Sequence, residues 1–233
     1  TNEKGKLVNL FRPKKFIDER YEEDKQKIID KYNELGYRDA QIVVDSVSPF
    51  DEKTVNVYMK IEEGQKYYLR NVTWVGNTVY PSDLLNEQLQ MKRGDVYNQK
   101  LLNDRLSNDE DAIGNNYYNR GYVFYHLDPV EVNIENDSID LEMRIQEGPQ
   151  ATISHVRING NDRLYENIIR RELRTRPGDL FSKEALERSY REIAQMGHFN
   201  PENIDPGISP DAANGTVDLN WKLESKANDQ VEF

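Results

Sequence analysis

The 233-residue sequence contains no cysteine, which excludes disulfide bonds, thiolate metal sites and cysteine nucleophiles. It also has no apolar run that approaches the roughly 20 residues of a membrane-spanning helix. No segment is strongly basic and the formal net charge is -11, which argues against non-specific binding to nucleic acid or anionic lipid. With 36% hydrophobic and 31% charged residues, the chain is polar for a single core and suits several small modules.

Histidine is scarce, and the motifs of common active sites are missing. His126, His155 and His198 are isolated in sequence and lack metal-ligand spacing, so ordinary surface or edge histidines are the simpler interpretation. The acidic run at 108–111 lacks the spacing of an EF-hand. The sequence has no Gly-x-Ser-x-Gly motif and no phosphate-binding loop. We therefore predict a chain without catalytic residues, bound metal or cofactor.

What the sequence does contain is an internal repeat. The stretches "GNTVYPSDLLNEQLQMKRGDVYN" (76–98) and "GNDRLYENIIRRELRTRPGDLFS" (160–182) share an initial Gly-Asn and a final Gly-Asp-x-aromatic, 84 positions apart. The alternating run Val55–Ile61 returns at the same offset as Ile139–Ile145, and Gly36-Tyr37 returns 85 positions later as Gly121-Tyr122. Matches in this order at nearly one offset indicate about two and a half copies of one unit.

Each complete copy predicts the order β-α-α-β-β. In the middle copy, a β-rich run at 67–75 ends at a Gly-Asn turn, and Pro81 suits the first turn of a short helix. A second helix is predicted from about Asn98 to Asn119, with Gly121 placed to end it. The last strand alternates apolar and polar residues, which is typical of a sheet with one face on helices. The predicted fold class is α+β, with a three-stranded sheet and two helices on one face of each repeat.

The last copy departs from this pattern in its second strand region, which reads "FNPENIDPGISP". Its three prolines cannot donate hydrogen bonds to a strand ladder. We therefore expect this segment to be short, irregular or at a sheet edge.

The repeated unit resembles the POTRA domain. The resemblance rests on Gly-Asn after the first strand, "PGD" and an aromatic between the helices, Gly-Tyr after the second helix, and a final strand running into "EG". Tandem copies resemble the periplasmic region of the BamA family, the outer-membrane β-barrel assembly factors of Gram-negative bacteria. Residues 153–199 are especially similar to the barrel-proximal POTRA unit, and the resemblance covers nearly the whole chain.

The resemblance implies a domain order. It predicts tandem POTRA units at 1–65 (incomplete at its N-terminus), 66–148 and 149–226, with 227–233 beginning the junction to a C-terminal membrane β-barrel of the same chain. The implied location is the periplasmic part of an outer-membrane protein. The implied function is a non-enzymatic scaffold that docks accessory lipoproteins and receives unfolded outer-membrane protein precursors. The alternative is the POTRA region of a dedicated translocation or two-partner secretion barrel.

One predicted binding surface is a sheet edge. In family members the strand after the second helix lies at an edge, where an extended peptide can add through main-chain hydrogen bonds. Here that strand falls at about Gln41–Val47 and Val123–Asn133, and the candidate residues are Ile42, Val43, Val44, Val123, Phe124 and Tyr125. Asp45, Asp128 and Pro129 would blunt these edges, so plain solvent exposure is the competing interpretation.

The second predicted surface is the helix "IIRRELRT" (168–175) in the last copy. Helical spacing allows Ile168, Ile169 and Leu173 to face the sheet. The outward residues would be Arg170, Arg171 and Arg174, with Glu172 toward the margin. The family resemblance implies that this segment helps to dock a lipoprotein, and guanidinium groups suit bidentate pairing with carboxylates. A solvated helix face is the alternative interpretation.

Overall fold

A computed structural model of the chain describes Phe16 and residues 18–52, 54–160 and 166–226. The elements run in the order α1 (Asp18–Glu34), β1 (Gln41–Pro49), β2 (Val55–Glu62), β3 (Tyr68–Val75), α2 (Ser82–Leu89), α3 (Gln99–Asn103), α4 (Ile113–Tyr118), β4 (His126–Glu135), β5 (Ser138–Gln146), β6 (Thr152–Asn159), α5 (Glu166–Glu172), α6 (Lys183–Gln195), β7 (Ile208–Asp211) and β8 (Thr216–Lys222). A π-helical turn at Asp104–Asn108 joins α3 to the segment before α4, and a 3₁₀ turn at Pro201–Asn203 follows α6.

The strands form separate sheets with the orders β1-β2, β3-β5-β4 and β6-β8-β7. In the last sheet the central strand β8 pairs in parallel with β6 and antiparallel with β7. This arrangement confirms the predicted α+β class with repeated three-stranded sheets. Among the described residues the first sheet has two strands. Residues 1–15 lie outside the described range, so the incompleteness of the first unit stays a prediction.

The central strands carry the cores, as their alternation predicts. Ile139, Leu141, Met143 and Ile145 of β5 are each at most 5% exposed. The corresponding residues of β8 are equally buried, and Trp221 lies at the centre of the last core. The first copy differs, because Val55 and Val57 of β2 stay 41% and 47% exposed.

The chain divides into two compact units. The first consists of Thr1–Arg70, Lys92–Leu101 and Ile134–Ile139, and the second of Asn71–Met91, Leu102–Asn133 and Asp140–Phe233. The middle repeat thus contributes to both. Within the first unit, α1 is tied to β1 by an ion pair between Lys25 and Asp45 at 2.8 Å. Within the second unit, α5 and α6 cover one face of the sheet of β6, β8 and β7.

The second helix of the middle repeat is broken, whereas the sequence predicts one continuous helix. After α3 the chain makes the π-helical turn, becomes extended at Asp109, and resumes as α4. The Arg105 side chain, 7% exposed, spans this break. It donates to the carbonyl oxygen of Gln88 at 2.5 and 3.0 Å and pairs with Asp111 at 2.7 Å. One buried cation therefore binds the end of α2 to the interrupted helix, which apolar periodicity cannot predict.

The glycine of each Gly-Asn turn is required by a close backbone approach. Gly76 and Gly160 have φ values of +88° and +83°. A Cβ atom at these positions would lie 2.1 Å from the carbonyl oxygen of Ile145 and 1.8 Å from that of Leu223. No side chain fits there, so the end of the first strand can contact the last strand only through glycine.

Glu147 connects the segment after the Gly-Asn turn to helix α4 within the middle repeat. Its carboxylate accepts hydrogen bonds from the backbone N–H groups of Thr78 and Val79 at 2.8 and 2.9 Å, from the Thr78 hydroxyl, and from the Tyr117 hydroxyl at 3.1 Å. Burial works against the charged form of this carboxylate, but the hydrogen bonds outweigh it and lower the pKa of Glu147. Glu63 stands at the same position of the first copy and is exposed.

Candidate partner-binding surfaces

The strand after the second helix lies at a sheet edge in all three sheets. These edge strands are β1, β4 and β7. Each presents large apolar side chains to solvent: Val43 and Val44 on β1, Val132 and Ile134 on β4, and Ile208 on β7, all between 38% and 47% exposed. The predicted edge placement holds for β4, whereas both strands of the first sheet are edges among the described residues, so the placement of β1 stays a prediction.

The β1 edge is the least obstructed of the three. It runs for nine residues and has no proline before its last position, Pro49. A register shift between Ile42 and Val44 marks a bulge at Val43, and Ile42 is half-buried. By contrast, β4 carries Pro129 in its interior, and β7 has four residues including Pro210. Proline lacks the N–H that main-chain pairing needs.

The placement of Val123, Phe124 and Tyr125 in an edge strand is wrong. Strand β4 begins at His126, and these three residues form the turn that precedes it. Tyr125 is buried and stacks on Tyr117 with ring centroids 4.3 Å apart. Val123 packs against the apolar core of the last repeat. The β-forming side chains that suggested a strand instead serve packing.

The arginines of α5 differ in how far they are already engaged. Arg170 pairs with Glu166 at 2.5 Å and donates to the carbonyl oxygen of Val156 at 3.0 Å. Arg174 pairs with Glu192 of α6 at 2.7 Å, and Arg188 reaches the same carboxylate at 3.0 Å. The hydrogen bond from Arg174, followed by that from Arg188, lowers the pKa of Glu192.

Arg171 is the arginine left available. It is exposed, and it has no ion pair within the part of the chain that the structure describes. Glu172 beside it is half-buried. Ile169 and Leu173 face the core as predicted, but Ile168 does not, since it is 36% exposed. The α5 surface of Ile168, Arg171 and Glu172 therefore combines an apolar side chain with both charges.

An apolar groove of about 320 Å³, which sequence reasoning missed, lies in the second unit. Its lining includes Tyr118, Val123, Phe181, Leu186, Ile208 and Pro210. These residues come from separated segments of two repeats, and no local sequence pattern brings them together.

The cluster of Ser154, His155 and Asp218 resembles a catalytic triad only in composition. Ser154 Oγ and Asp218 Oδ1 both contact the same ring nitrogen, Nδ1, at 2.9 and 3.0 Å. In a catalytic triad the serine hydroxyl contacts one imidazole nitrogen and the carboxylate contacts the other. Across the described residues no group of His, Asp and Glu could hold a metal ion. Over the same range no helix is long and apolar enough to cross a membrane.

Comparison with known proteins identifies the repeat. The POTRA family, described as surface antigen variable number repeat, matches residues 3–64, 67–148 and 151–226. The outer membrane protein assembly factor BamA of Neisseria meningitidis serogroup B is 24% identical over 226 residues, covering 96% of this chain and 28% of that protein. BamA of Nitratidesulfovibrio vulgaris is 24% identical over 210 residues, 90% of this chain and 26% of that protein. The chain thus spans about a quarter of the length of these curated relatives.

Comparison with solved structures also identifies POTRA domains. The crystal structure of Haemophilus influenzae BamA POTRA3-5 superposes with a TM-score of 0.75 at 28% identity, covering 91% of this chain and 83% of that one. The chain corresponds to the periplasmic part of an outer-membrane protein, as predicted. Because the POTRA pattern matches nearly its whole length in three consecutive segments, the chain belongs to the POTRA family.

Proposed function

We propose that this chain is the scaffold of an outer-membrane protein assembly factor, which docks accessory lipoproteins and receives unfolded precursors for a C-terminal β-barrel of the same protein. The observation that carries the proposal is the likeness to BamA POTRA3-5 across 91% of the chain. POTRA units at 1–65, 66–148 and 149–226 and a barrel junction from 227 belong to the same proposal. Residues 227–233 lie outside the described range.

The β1 edge, with Ile42, Val43 and Val44, is the proposed site for unfolded precursors. A strand edge offers unpaired N–H and C=O groups, which bind an extended chain whatever its sequence. The exposed Val43 and Val44 add apolar contact for the alternating side chains of a barrel strand. Such a site suits a protein that must accept many different precursors.

Photo-crosslinking tests this site. A photoreactive residue replaces Val44 on β1 or, as the control, Leu84 on helix α2, which is 43% exposed. The probes are synthetic peptides copied from strands of several unrelated outer-membrane barrels. We expect position 44 to crosslink to all of them and position 84 to none. Crosslinking to one peptide alone would instead support a dedicated secretion barrel, and equal crosslinking at both positions would refute the edge site.

The α5 surface is the proposed lipoprotein site. Among Arg170, Arg171, Glu172 and Arg174, the structure favours Arg171 as the principal contact because Arg170 and Arg174 are held by ion pairs. An unpaired guanidinium beside an exposed apolar side chain suits an interface centre, where desolvated charges matter most. A paired arginine would first have to leave its carboxylate.

Charge reversal separates this surface from its surroundings. Arg171→Glu in the full-length protein should abolish co-purification of at least one envelope lipoprotein. The matched control is Arg191→Glu, since Arg191 on α6 is also exposed and has no ion pair among the described residues. If the two variants retain the same lipoproteins in the same amounts, α5 is only a solvated face.

A further inference from the structure

Successive repeats meet through a contact that occurs twice with the same backbone geometry. Gly36 follows α1, and Gly121 follows α4 at the same place in the next repeat. Both glycines have positive φ, at +95° and +85°. The carbonyl oxygen of Gly36 accepts the N–H of Tyr67 at 2.9 Å, and that of Gly121 accepts the N–H of Ala151 at 2.8 Å. In each case the donor is the residue that leads into the first strand of the following repeat.

A second hydrogen bond extends each contact. The carbonyl oxygen of Tyr67 accepts the N–H of Tyr97 at 2.9 Å, and that of Ala151 accepts the N–H of Phe181 at 3.0 Å. Tyr97 and Phe181 are the aromatics of the two Gly-Asp-x-aromatic motifs. Two hydrogen bonds in series therefore connect the turn after the second helix of one repeat to the turn between the helices of the next.

The variable residue of the same motif packs on the glycine. A Cβ atom at Gly36 would lie 2.6 Å from Val96 Cγ1, and one at Gly121 would lie 2.7 Å from Leu180 Cδ1. Both distances are too short for real contacts, so a side chain at either glycine would have to push aside Val96 or Leu180 of the following repeat. Leu180 is 42% exposed, so packing in the core of its own repeat does not explain why this position is aliphatic.

Polar side chains reinforce each contact differently. At the first, Tyr67 donates to Asp39 at 2.8 Å, and Arg38 lies 5.4 Å from the Tyr67 ring centroid. At the second, Lys183 donates to Asn115 at 2.8 Å, and the N–H of Glu184 donates to Asn119 at 2.9 Å. Each contact also lies inside one of the two compact units.

We infer that these contacts are locks that hold consecutive repeats in one fixed arrangement, with Gly36 and Val96 forming the first lock and Gly121 and Leu180 the second. The lock gives a role to the glycine of the Gly-Tyr motif, whose carbonyl oxygen accepts the first hydrogen bond, and to the Gly-Asp-x-aromatic motif, which supplies the packed side chain and the second N–H donor.

Distance measurements between spin labels test the second lock. Because the chain has no cysteine, Ser107→Cys and Arg191→Cys provide two unique labels at exposed positions of the middle and last repeats. Gly121→Ala should at least double the width of the distance distribution. Gly197→Ala is the matched control, because Gly197 has φ +76° but open space around a Cβ atom and lies outside the lock, and the width should stay unchanged. Adding Leu180→Ala to Gly121→Ala removes the clash and should restore the original width.

Two results would overturn the lock. One is a Gly121→Ala distribution as narrow as the wild type, and the other is a double variant that stays broad. Hydrogen exchange in the unmodified chain gives an answer even if Gly121→Ala fails to fold. The amides of Ala151 and Phe181 should exchange at least 100-fold more slowly than that of the exposed neighbour Gln150. Equal exchange at the three amides would show that no lock is closed in solution.

Discussion

Removing the Glu147 carboxylate should destabilise the middle repeat far more than removing the equivalent carboxylate of the first repeat. Glu147→Ala deletes the acceptor of four hydrogen bonds. Thr78 is exposed, so water can replace the partner of its N–H and hydroxyl. Val79 is half-buried and Tyr117 is fully buried, so their donors are left without a partner.

The magnitude follows from those two donors. A buried donor without a partner costs about 1–3 kcal/mol, and because Val79 is only half-buried we take the low end, about 2–3 kcal/mol for the two donors together. Glu63→Ala is the matched control, because Glu63 is exposed at the same position of the repeat and should change stability by less than about 0.5 kcal/mol. Glu147→Gln keeps one acceptor oxygen and the side-chain shape, and should cost about 1 kcal/mol.

Hydrogen exchange followed by mass spectrometry can localise the effect. A loss of about 2–3 kcal/mol accelerates exchange through local opening by roughly 30- to 150-fold. The acceleration should appear in a peptide covering 113–125, while a peptide covering α6 in the last repeat serves as the internal reference. If Glu147→Ala exchanges within threefold of the wild type, or if Glu63→Ala has the same effect, the hydrogen bonds of Glu147 do not hold the repeat together.

Three further predictions concern single groups. Folding lowers the pKa of Glu147, so the ionised carboxylate stabilises the folded state fully above the ordinary pKa of 4.5, and this stabilisation is lost as the pH falls through the folded-state pKa. The urea unfolding midpoints of the wild type and Glu147→Gln should therefore converge in acid. Arg105→Ala should cost about 2 kcal/mol in urea unfolding because it removes a buried side chain and leaves the carbonyl group of the half-buried Gln88 without its donor, and Arg105→Lys should recover less than half of that, since an ammonium cannot form the fork. Gly160→Ala should abolish the folded NMR spectrum of the last repeat, whereas Gly178→Ala, with the same sign of φ and open space, should lower stability by only about 1 kcal/mol.

The sequence predicted those parts of the fold in which burial follows a short period. Strands β5 and β8 bury alternate residues almost completely, so their pattern is visible in the chain. The proline-rich segment of the last repeat likewise predicted a poor strand, and β7 is a four-residue strand at the sheet edge. In these places the local signal and the tertiary environment agree.

Prediction failed where a distant residue decides the local structure. The break after α3 depends on Arg105 reaching Gln88, which is 17 positions away. The availability of Arg171 rather than Arg174 depends on Glu192, which lies on another helix. Val123 resembles a strand residue because it is β-branched, but it is placed by the core of the next repeat. Each error arose from a contact that has no fixed spacing in sequence.

The repeated glycines follow one sequence pattern, but the structural reason that requires glycine differs between positions. Gly76 is needed for a contact inside its own repeat, since its neighbour is the backbone of Ile145. Gly121 is needed for a contact with the next repeat, since its neighbour is Leu180. A Cβ atom at Gly178 would meet nothing within 4 Å, so at this position glycine is needed only for its positive φ.

These three structural reasons predict that the glycines tolerate replacement to different degrees, although all of them recur at regular positions in the sequence. A backbone neighbour cannot move without breaking the sheet, a side-chain neighbour can be truncated to make room, and a conformational requirement alone costs only backbone strain. Replacement by alanine should therefore be most damaging at Gly76, rescuable by a second substitution at Gly121, and mildest at Gly178. The repeat preserves the lock between its copies as strictly as the turn within each copy, which is expected if the unit that functions is the connected array rather than the single domain.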